Sequence, residues 1–166
     1  IALGKKEDNF ELNDIDYSEL GNFGGVGFKY DNSTFTKNIK DSKYKVNVAN
    51  LNKFENIERC DFIKMDVEFM ELDILKGGNI FLKKFRPILW IENHEFYPNE
   101  INKFLLQNDY NPYWVYTRVF NESNYFVNDV NYFNNLGTLN TLAIPKEDKK
   151  FLMDKRFDKI INPYTK

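Results

Sequence analysis

The segment that decides the fold is DFIKMDVEFMELDILKGGNIFLKKFRPILWIEN, residues 61–93. Apolar residues cluster near its two ends and predict two strands, Asp61–Met65 and Pro87–Ile91. The residues between them repeat at a roughly helical period. Strand, helix and strand in this order form a βαβ unit, whose two strands lie parallel in one sheet.

Acidic and polar side chains follow each predicted strand at its carboxyl end. Asp66 and Glu68 come after the first strand, and the second leads into Glu92, Asn93 and His94. Ligands bind outside the carboxyl ends of parallel strands, and neighbouring strands lie about 4.8 Å apart. We therefore expect Asp66 and Glu92 to face one crevice, which favours an active site.

Composition excludes several classes of protein. The chain has 166 residues and a net charge of −2, which disfavours nonspecific binding to nucleic acid or to a membrane surface. No apolar run approaches the roughly 20 residues that span a bilayer. The single cysteine, Cys60, and the single histidine exclude an internal disulfide and Cys- or His-rich metal clusters. We expect a cytoplasmic protein; the oligomeric state stays open.

Other segments add weaker signals. Gly77-Gly78 interrupts the helical period and argues against one continuous helix. The glycine-rich stretch GNFGGVG, residues 21–27, does not match a phosphate-binding motif and is predicted to be a surface or pocket-lining loop. No linker divides the chain, so residues 1–146 are predicted to form one domain and residues 147–166 a charged C-terminal tail.

The central segment resembles a known family. IKMDVE, residues 63–68, followed by Glu71 and LKG at 75–77, resembles the signature of FkbM-family methyltransferases, approximately I-K-I-D-V-E-G-x-E and then L-K-G. KFRPILWIEN, residues 84–93, is similar to the family's K-x-x-P-I-I-x-x-E segment. Weaker similarities flank both in consistent order, at 21–26, 110–114 and 142–146.

One position departs from this pattern. The family usually has glycine after the signature glutamate, and this chain has Phe69. Glycine would allow an unusual backbone angle or the close approach of a ligand. We therefore expect Phe69 to alter the pocket or to cap its floor.

The resemblance implies an α/β, Rossmann-like class I methyltransferase fold that uses S-adenosylmethionine (SAM) to methylate a hydroxyl of a sugar or small natural product. The sheet order in that fold is 3-2-1-4-5-7-6, mostly parallel with an antiparallel strand near the C-terminus. The resemblance assigns strands 3 to 7 to this chain and places Ala2 and Leu3 at the end of strand 3. There, together with Asp66, they are expected to contact the cofactor.

Neither the glycine-rich SAM loop after strand 1 nor the acidic residue after strand 2 is found in the chain. We therefore expect the fold to be incomplete, with a natural N-terminal portion preceding Ile1. We also expect strand 4 to form an exposed apolar edge, a liability for aggregation, and these 166 residues not to bind SAM tightly alone.

The candidate residues have distinct expected roles. Asp66 orients the acceptor hydroxyl or accepts its proton, although it is equally well placed to cap the helix that follows. Glu68 hydrogen-bonds the substrate or supports Asp66, or else stabilises the helix N-terminus. Glu92 is a further catalytic candidate. His94 is a candidate general base because its pKa suits neutral pH, with an exposed loop histidine as the alternative.

A metal site at this edge is a further hypothesis. Asp66, Glu92 and Asn93 are similar in placement to the Mg²⁺ ligands of certain metal-dependent O-methyltransferases. Oxygen ligands suit Mg²⁺, which would lower the pKa of the substrate hydroxyl. Two other functions stay open: a metal-dependent hydrolase that uses Asp66, Glu68 and Glu92, and a degenerate or truncated methyltransferase that acts as a noncatalytic interaction module.

Overall fold

A computed structural model describes residues 1–15, 17–18, 39–93, 98–148 and 157–163. In these residues the chain is mixed α/β, with eight strands and three α-helices. It divides into two compact units, residues 1–61 with 66–86 and residues 62–65 with 87–166. No described helix is both long and apolar enough to cross a membrane.

The first unit contains a three-stranded sheet. Its strands, in the spatial order β1-β3-β2, are β1 (Ala2–Leu3), β2 (Asp8–Ile15) and β3 (Ile39–Ala49). β1 runs parallel to β3 and β2 runs antiparallel to it, so that Val48 of β3 lies between Ala2 and Asp8. The apolar carboxyl end of β3 is buried, which anchors the sheet in the core of this unit.

Two short helices complete the first unit, α1 (Glu71–Gly77) and α2 (Asn79–Phe85). They are separated at Gly78, which confirms that the glycine pair breaks the helix. A Cβ atom on Gly77 would lie 2.5 Å from the carbonyl oxygen of Gly4. The chain that follows β1 therefore packs directly on α1, and only glycine allows this approach.

The start of α2 is capped by a residue from a distant part of the chain. Asn52, in a 3₁₀ helix at Leu51–Phe54, accepts the backbone N–H groups of Ile80 and Phe81 on its Oδ1, each at 3.0 Å. Its Nδ2 donates to Asn79 Oδ1 at 3.1 Å. The first N–H groups of a helix need such acceptors, so Asn52 joins the 3₁₀ helix to α2.

The second unit contains a five-stranded sheet in the order β4-β5-β7-β6-β8 and one helix, α3 (Pro98–Gln107). The strands are β4 (Phe62–Met65), β5 (Ile88–Glu92), β6 (Tyr110–Arg118), β7 (Gly137–Pro145) and β8 (Asp158–Lys159). β4 and β5 pair in parallel, whereas β7 runs antiparallel to both β5 and β6, and β8 runs antiparallel to β6. β4, β5 and β6 therefore point in one direction.

The observed sheet meets part of the expectation. The order β4-β5-β7-β6 agrees with the 4-5-7-6 part of the expected order, with its reversed strand in the same place. A mostly parallel, Rossmann-like sheet is not confirmed in the described residues, where one of the four pairings of this sheet is parallel. The three antiparallel pairings are the two that β7 makes with β5 and β6, as the expected order requires, and the one between β6 and β8.

The edges of this sheet differ from its centre. Leu89, Ile91 and Ala143 are fully buried in the two central strands β5 and β7. β4 is the outermost strand on its side within the described residues, and its Phe62 is 54% exposed. On the other side β8, part of the predicted C-terminal tail, pairs with Tyr113 and Trp114 of β6.

Candidate functional site

The parallel pairing of β4 and β5 brings their carboxyl ends to one edge of the second sheet. Met65, the last residue of β4, lies opposite Ile91 of β5. The next residue along the chain is Asp66 after β4 and Glu92 at the end of β5. Both acidic residues therefore follow directly from paired positions, as the sequence predicted.

The chain after β4 forms a tight turn, residues 66–70, with unusual backbone angles. Glu68 has φ 47° and Phe69 has φ 72°, so both lie in the left-handed region. L-residues adopt this region at a cost of about 1–2 kcal/mol each. Phe69 occupies the position where the family pattern has glycine, so the backbone keeps the glycine-like angle although the side chain is large.

Two carboxylates of this turn lie close together. Carboxylate oxygens of Asp66 and Glu68 are within 4.8 Å of each other. Asp66 is exposed and Glu68 is half-buried. Adjacent carboxylates repel each other, and a proton, a cation or a hydrogen-bond donor relieves this repulsion. The turn is therefore suited to holding a hydroxyl or a positively charged group.

Glu71, the first residue of α1, fixes the turn from inside the protein. It is 2% exposed, and its Oε1 accepts the backbone N–H of Val67 at 3.2 Å. A buried carboxyl group that receives a backbone N–H restricts the path of the chain between the two residues. Glu71, which the sequence marked only as part of the family signature, is thus a positioning residue for Asp66 and Glu68.

Glu92 lies at the end of β5 beside a polar cluster of β7. It is half-buried and opposite Asn140. Asn140 Oδ1 accepts the indole N–H of Trp90 at 3.0 Å, and Asn140 Nδ2 donates to Thr138 Oγ1 at 3.2 Å. Trp90 and Glu92 share one face of the strand, so this network orders the surface from which Glu92 extends.

Asn93 faces the interior of the second unit. Its side chain is 2% exposed, and its Nδ2 donates to Thr141 Oγ1 at 2.7 Å. Thr141 Oγ1 in turn donates to Asn102 Oδ1 at 3.3 Å, which links β5, β7 and α3. Asn93 Oδ1 has no hydrogen-bond partner in the described residues, and it is the ligand atom that the metal hypothesis requires.

Ala2 and Leu3, the expected cofactor contacts, form β1 of the first unit. A cleft of about 510 Å³ opens where the chain leaves β1, and its walls include Gly4, Phe10 and Met70. His94, the glycine-rich stretch 21–27 and most of the tail lie outside the described residues. Among the acidic and polar candidates that follow the two strands, the structure describes Asp66, Glu68, Glu92 and Asn93.

Comparison with known proteins defines the class. The turn at 66–70 and the strands β2 to β5 fall within a match to the methyltransferase FkbM domain, which covers residues 3–112. The matched region is that of a methyltransferase, and the chain belongs to the FkbM methyltransferase domain family. No curated protein and no solved structure matches the chain.

Proposed function

We propose that this protein is a SAM-dependent O-methyltransferase of Rossmann-like fold that methylates a hydroxyl of a sugar or small natural product. The observation that carries the proposal is the register of β4 and β5 within the family match. It delivers Asp66 and Glu92 to the carboxyl ends of paired parallel strands, where α/β sheets bind their ligands.

In the proposed reaction Asp66 acts on the acceptor hydroxyl. Its carboxylate accepts a hydrogen bond from the hydroxyl and then the proton, while the oxygen attacks the sulfonium methyl carbon. Bound SAM would supply the methyl group, its C–S bond breaking as the C–O bond forms, and S-adenosylhomocysteine would be the product. Glu68 and Glu92 are proposed to hold the acceptor in line, since orientation supplies much of the rate enhancement in such a displacement.

The first unit offers residues that suit part of the cofactor. SAM supplies the methyl group, and its adenosine portion needs an apolar slot with a polar rim. The cleft at the end of β1 has about 510 Å³ and combines Phe10 and Met70 with Lys5 and Asp73. Ligand pockets are commonly about 300–1,000 Å³ and mostly apolar. The lining begins at Gly4, the residue after Leu3, and Ala2, Leu3 and Asp66 stay the proposed cofactor contacts.

The test is methyl transfer by the full-length protein. Purified protein is incubated with methyl-labelled SAM and a panel of sugars and small hydroxylated compounds. We expect S-adenosylhomocysteine to form only with an acceptor present, in equal amount to the methylated product. Absence of transfer across the panel, despite SAM binding measured by calorimetry, would contradict the O-methyltransferase proposal.

A metal-dependent version of this chemistry is favoured by the closeness of the Asp66 and Glu68 carboxylates. Oxygen-rich sets of this kind suit Mg²⁺, with Asp66, Glu92 and Asn93 as the proposed ligands. The alternative of a metal-dependent hydrolase uses Asp66, Glu68 and Glu92. Excess EDTA separates the three cases: turnover that persists excludes the metal, loss of SAM-dependent turnover supports it, and metal-dependent hydrolysis without SAM identifies a hydrolase.

A further inference from the structure

The connection between β6 and β7 is a long, exposed, aromatic-rich loop, residues 119–136. Its side chains include some of the most exposed apolar groups in the described chain, among them Tyr125 at 92%, Phe126 at 86% and Tyr132 at 77%. Exposed apolar surface of this extent marks a binding site more often than a solvent-facing loop. We call residues 119–136 the aromatic loop.

The aromatic loop is ordered by its own asparagine side chains. Asn124 Nδ2 donates to the carbonyl oxygens of Asn121 and Asn128, at 3.0 and 2.7 Å. Asn124 Oδ1 accepts the Asn128 N–H at 3.1 Å, and the Val119 N–H bonds to Leu136 O across the base of the loop. Local hydrogen bonds of this type substitute for regular structure. The aromatic side chains are thus presented from an ordered backbone.

The loop surrounds a cleft of about 400 Å³ whose chemistry is neutral. Aromatic walls, including Phe126 and Tyr132, alternate with the amides of Asn121, Asn124 and Asn128. None of the described residues that line the cleft is charged, so an anionic or cationic ligand would find no counter-charge there.

Hydrogen-bond donors remain available in this cleft. Asn121 and Asn128 each use Oδ1 to accept a backbone N–H, and their Nδ2 groups donate no hydrogen bond within the described part of the chain. Aromatic faces with a few polar groups are the usual lining of small-ligand pockets. A sugar offers matching surfaces: its apolar C–H face can stack on an aromatic ring, and its hydroxyls can accept hydrogen bonds from the asparagine amides.

We propose that the aromatic loop binds a neutral oligosaccharide. It leaves the carboxyl end of β6, and β6 runs in the same direction as β5, so the loop and Glu92 lie at one edge of the second sheet. That the bound sugar is also the methyl acceptor rests on the proposed function; the binding itself does not.

The test uses the full chain and an array of neutral oligosaccharides built from glucose, galactose, mannose and N-acetylglucosamine, followed by calorimetry on the members that bind. Phe126→Ala should weaken binding about tenfold, and Tyr132→Phe, which removes one hydroxyl, should weaken it a few-fold. Tyr44→Ala is the matched control, because Tyr44 is 48% exposed on β3, outside the cleft. Circular dichroism verifies that each variant folds.

Every result decides the proposal. Absence of binding across the array, or binding that Phe126→Ala leaves unchanged, overturns it. Self-association that Phe126→Ala abolishes, without sugar binding, identifies the loop as a protein contact and also overturns it. Because binding is measured without SAM, a protein that binds sugar but transfers no methyl group contradicts the proposed function alone. Methyl transfer with a KM that Phe126→Ala does not change, in a protein whose loop binds sugar, contradicts only the identification of that sugar as the methyl acceptor.

Discussion

The turn at 66–70 and the aromatic loop both hold residues in the left-handed backbone region, but by opposite means. In the turn, Phe69 at φ 72° is followed by Met70 and Glu71, each 2% exposed. In the loop, Val127 at φ 52° is 87% exposed and is held by hydrogen bonds of Asn124 to neighbouring backbone.

This difference separates two ways of building a functional surface. A turn whose flank is buried places its carboxylates accurately, because a change in angle would disturb the core. A loop held by surface amides presents its side chains without depending on the core, so it tolerates sequence change. We expect the turn to carry chemistry and the loop to carry recognition, and the following variants test that division.

The largest effect on stability is expected from Glu71→Ala. The substitution leaves the Val67 N–H without its acceptor and opens space in a buried position. Loss of such a hydrogen bond costs about 1–3 kcal/mol, to be measured as a lower midpoint of urea denaturation. Glu71→Gln keeps an oxygen acceptor, so its loss of stability should be less than half of that in Glu71→Ala. Equal losses in both variants would mean that the hydrogen bond does not hold the turn.

A smaller effect on stability is expected at Phe69, where the free energies of unfolding of two variants are compared. Phe69→Gly and Phe69→Ala both remove the ring, so their stabilities differ through the backbone at φ 72°. Glycine adopts this angle without steric cost, so Phe69→Gly should be more stable than Phe69→Ala by about 1 kcal/mol. If alanine proves the more stable, the left-handed angle is absent in solution.

The smallest effect on global stability is expected from Asn124→Ala. The variant removes three hydrogen bonds within the aromatic loop. Because these bonds lie in an exposed loop, the free energy of unfolding should change by less than about 0.5 kcal/mol. Amide hydrogen exchange at Val127 and Asn128 should accelerate because the loop loses its tie. Glu122→Gln, an exposed change in the same loop, is the control. Unchanged exchange in Asn124→Ala would show that the amides do not order the loop.

Part of this architecture was accessible from sequence. Apolar runs that end in acidic residues predicted β4, β5 and the placement of Asp66 and Glu92. Strands of this kind are recognised from the local sequence pattern, and their parallel pairing follows from the order strand, helix, strand. The glycine pair predicted the break at Gly78. The family resemblance supplied the order 4-5-7-6, which no single segment encodes.

Other features depend on contacts between distant positions. Asn52 caps α2 from 28 residues away, and a local pattern does not reveal such a partner. Burial of Glu71 does not follow from the sequence, because its local context is that of an ordinary first-turn acid. Asn140 and Thr141 interrupt the apolar residues of β7, which indicates that buried polar groups pair there. Their partners can be identified only once the register of β7 with β5 is known.

The most direct test of the central claim is the turnover of Asp66→Asn in the full-length protein. The amide keeps the size of the side chain but cannot accept the hydroxyl proton, so kcat for methyl transfer should fall by about 10²-fold or more. Asp61→Asn is the matched control, because Asp61 precedes β4, is exposed and pairs with Arg59; its kcat should match that of the wild type. A folded Asp66→Asn protein with wild-type kcat would contradict the account.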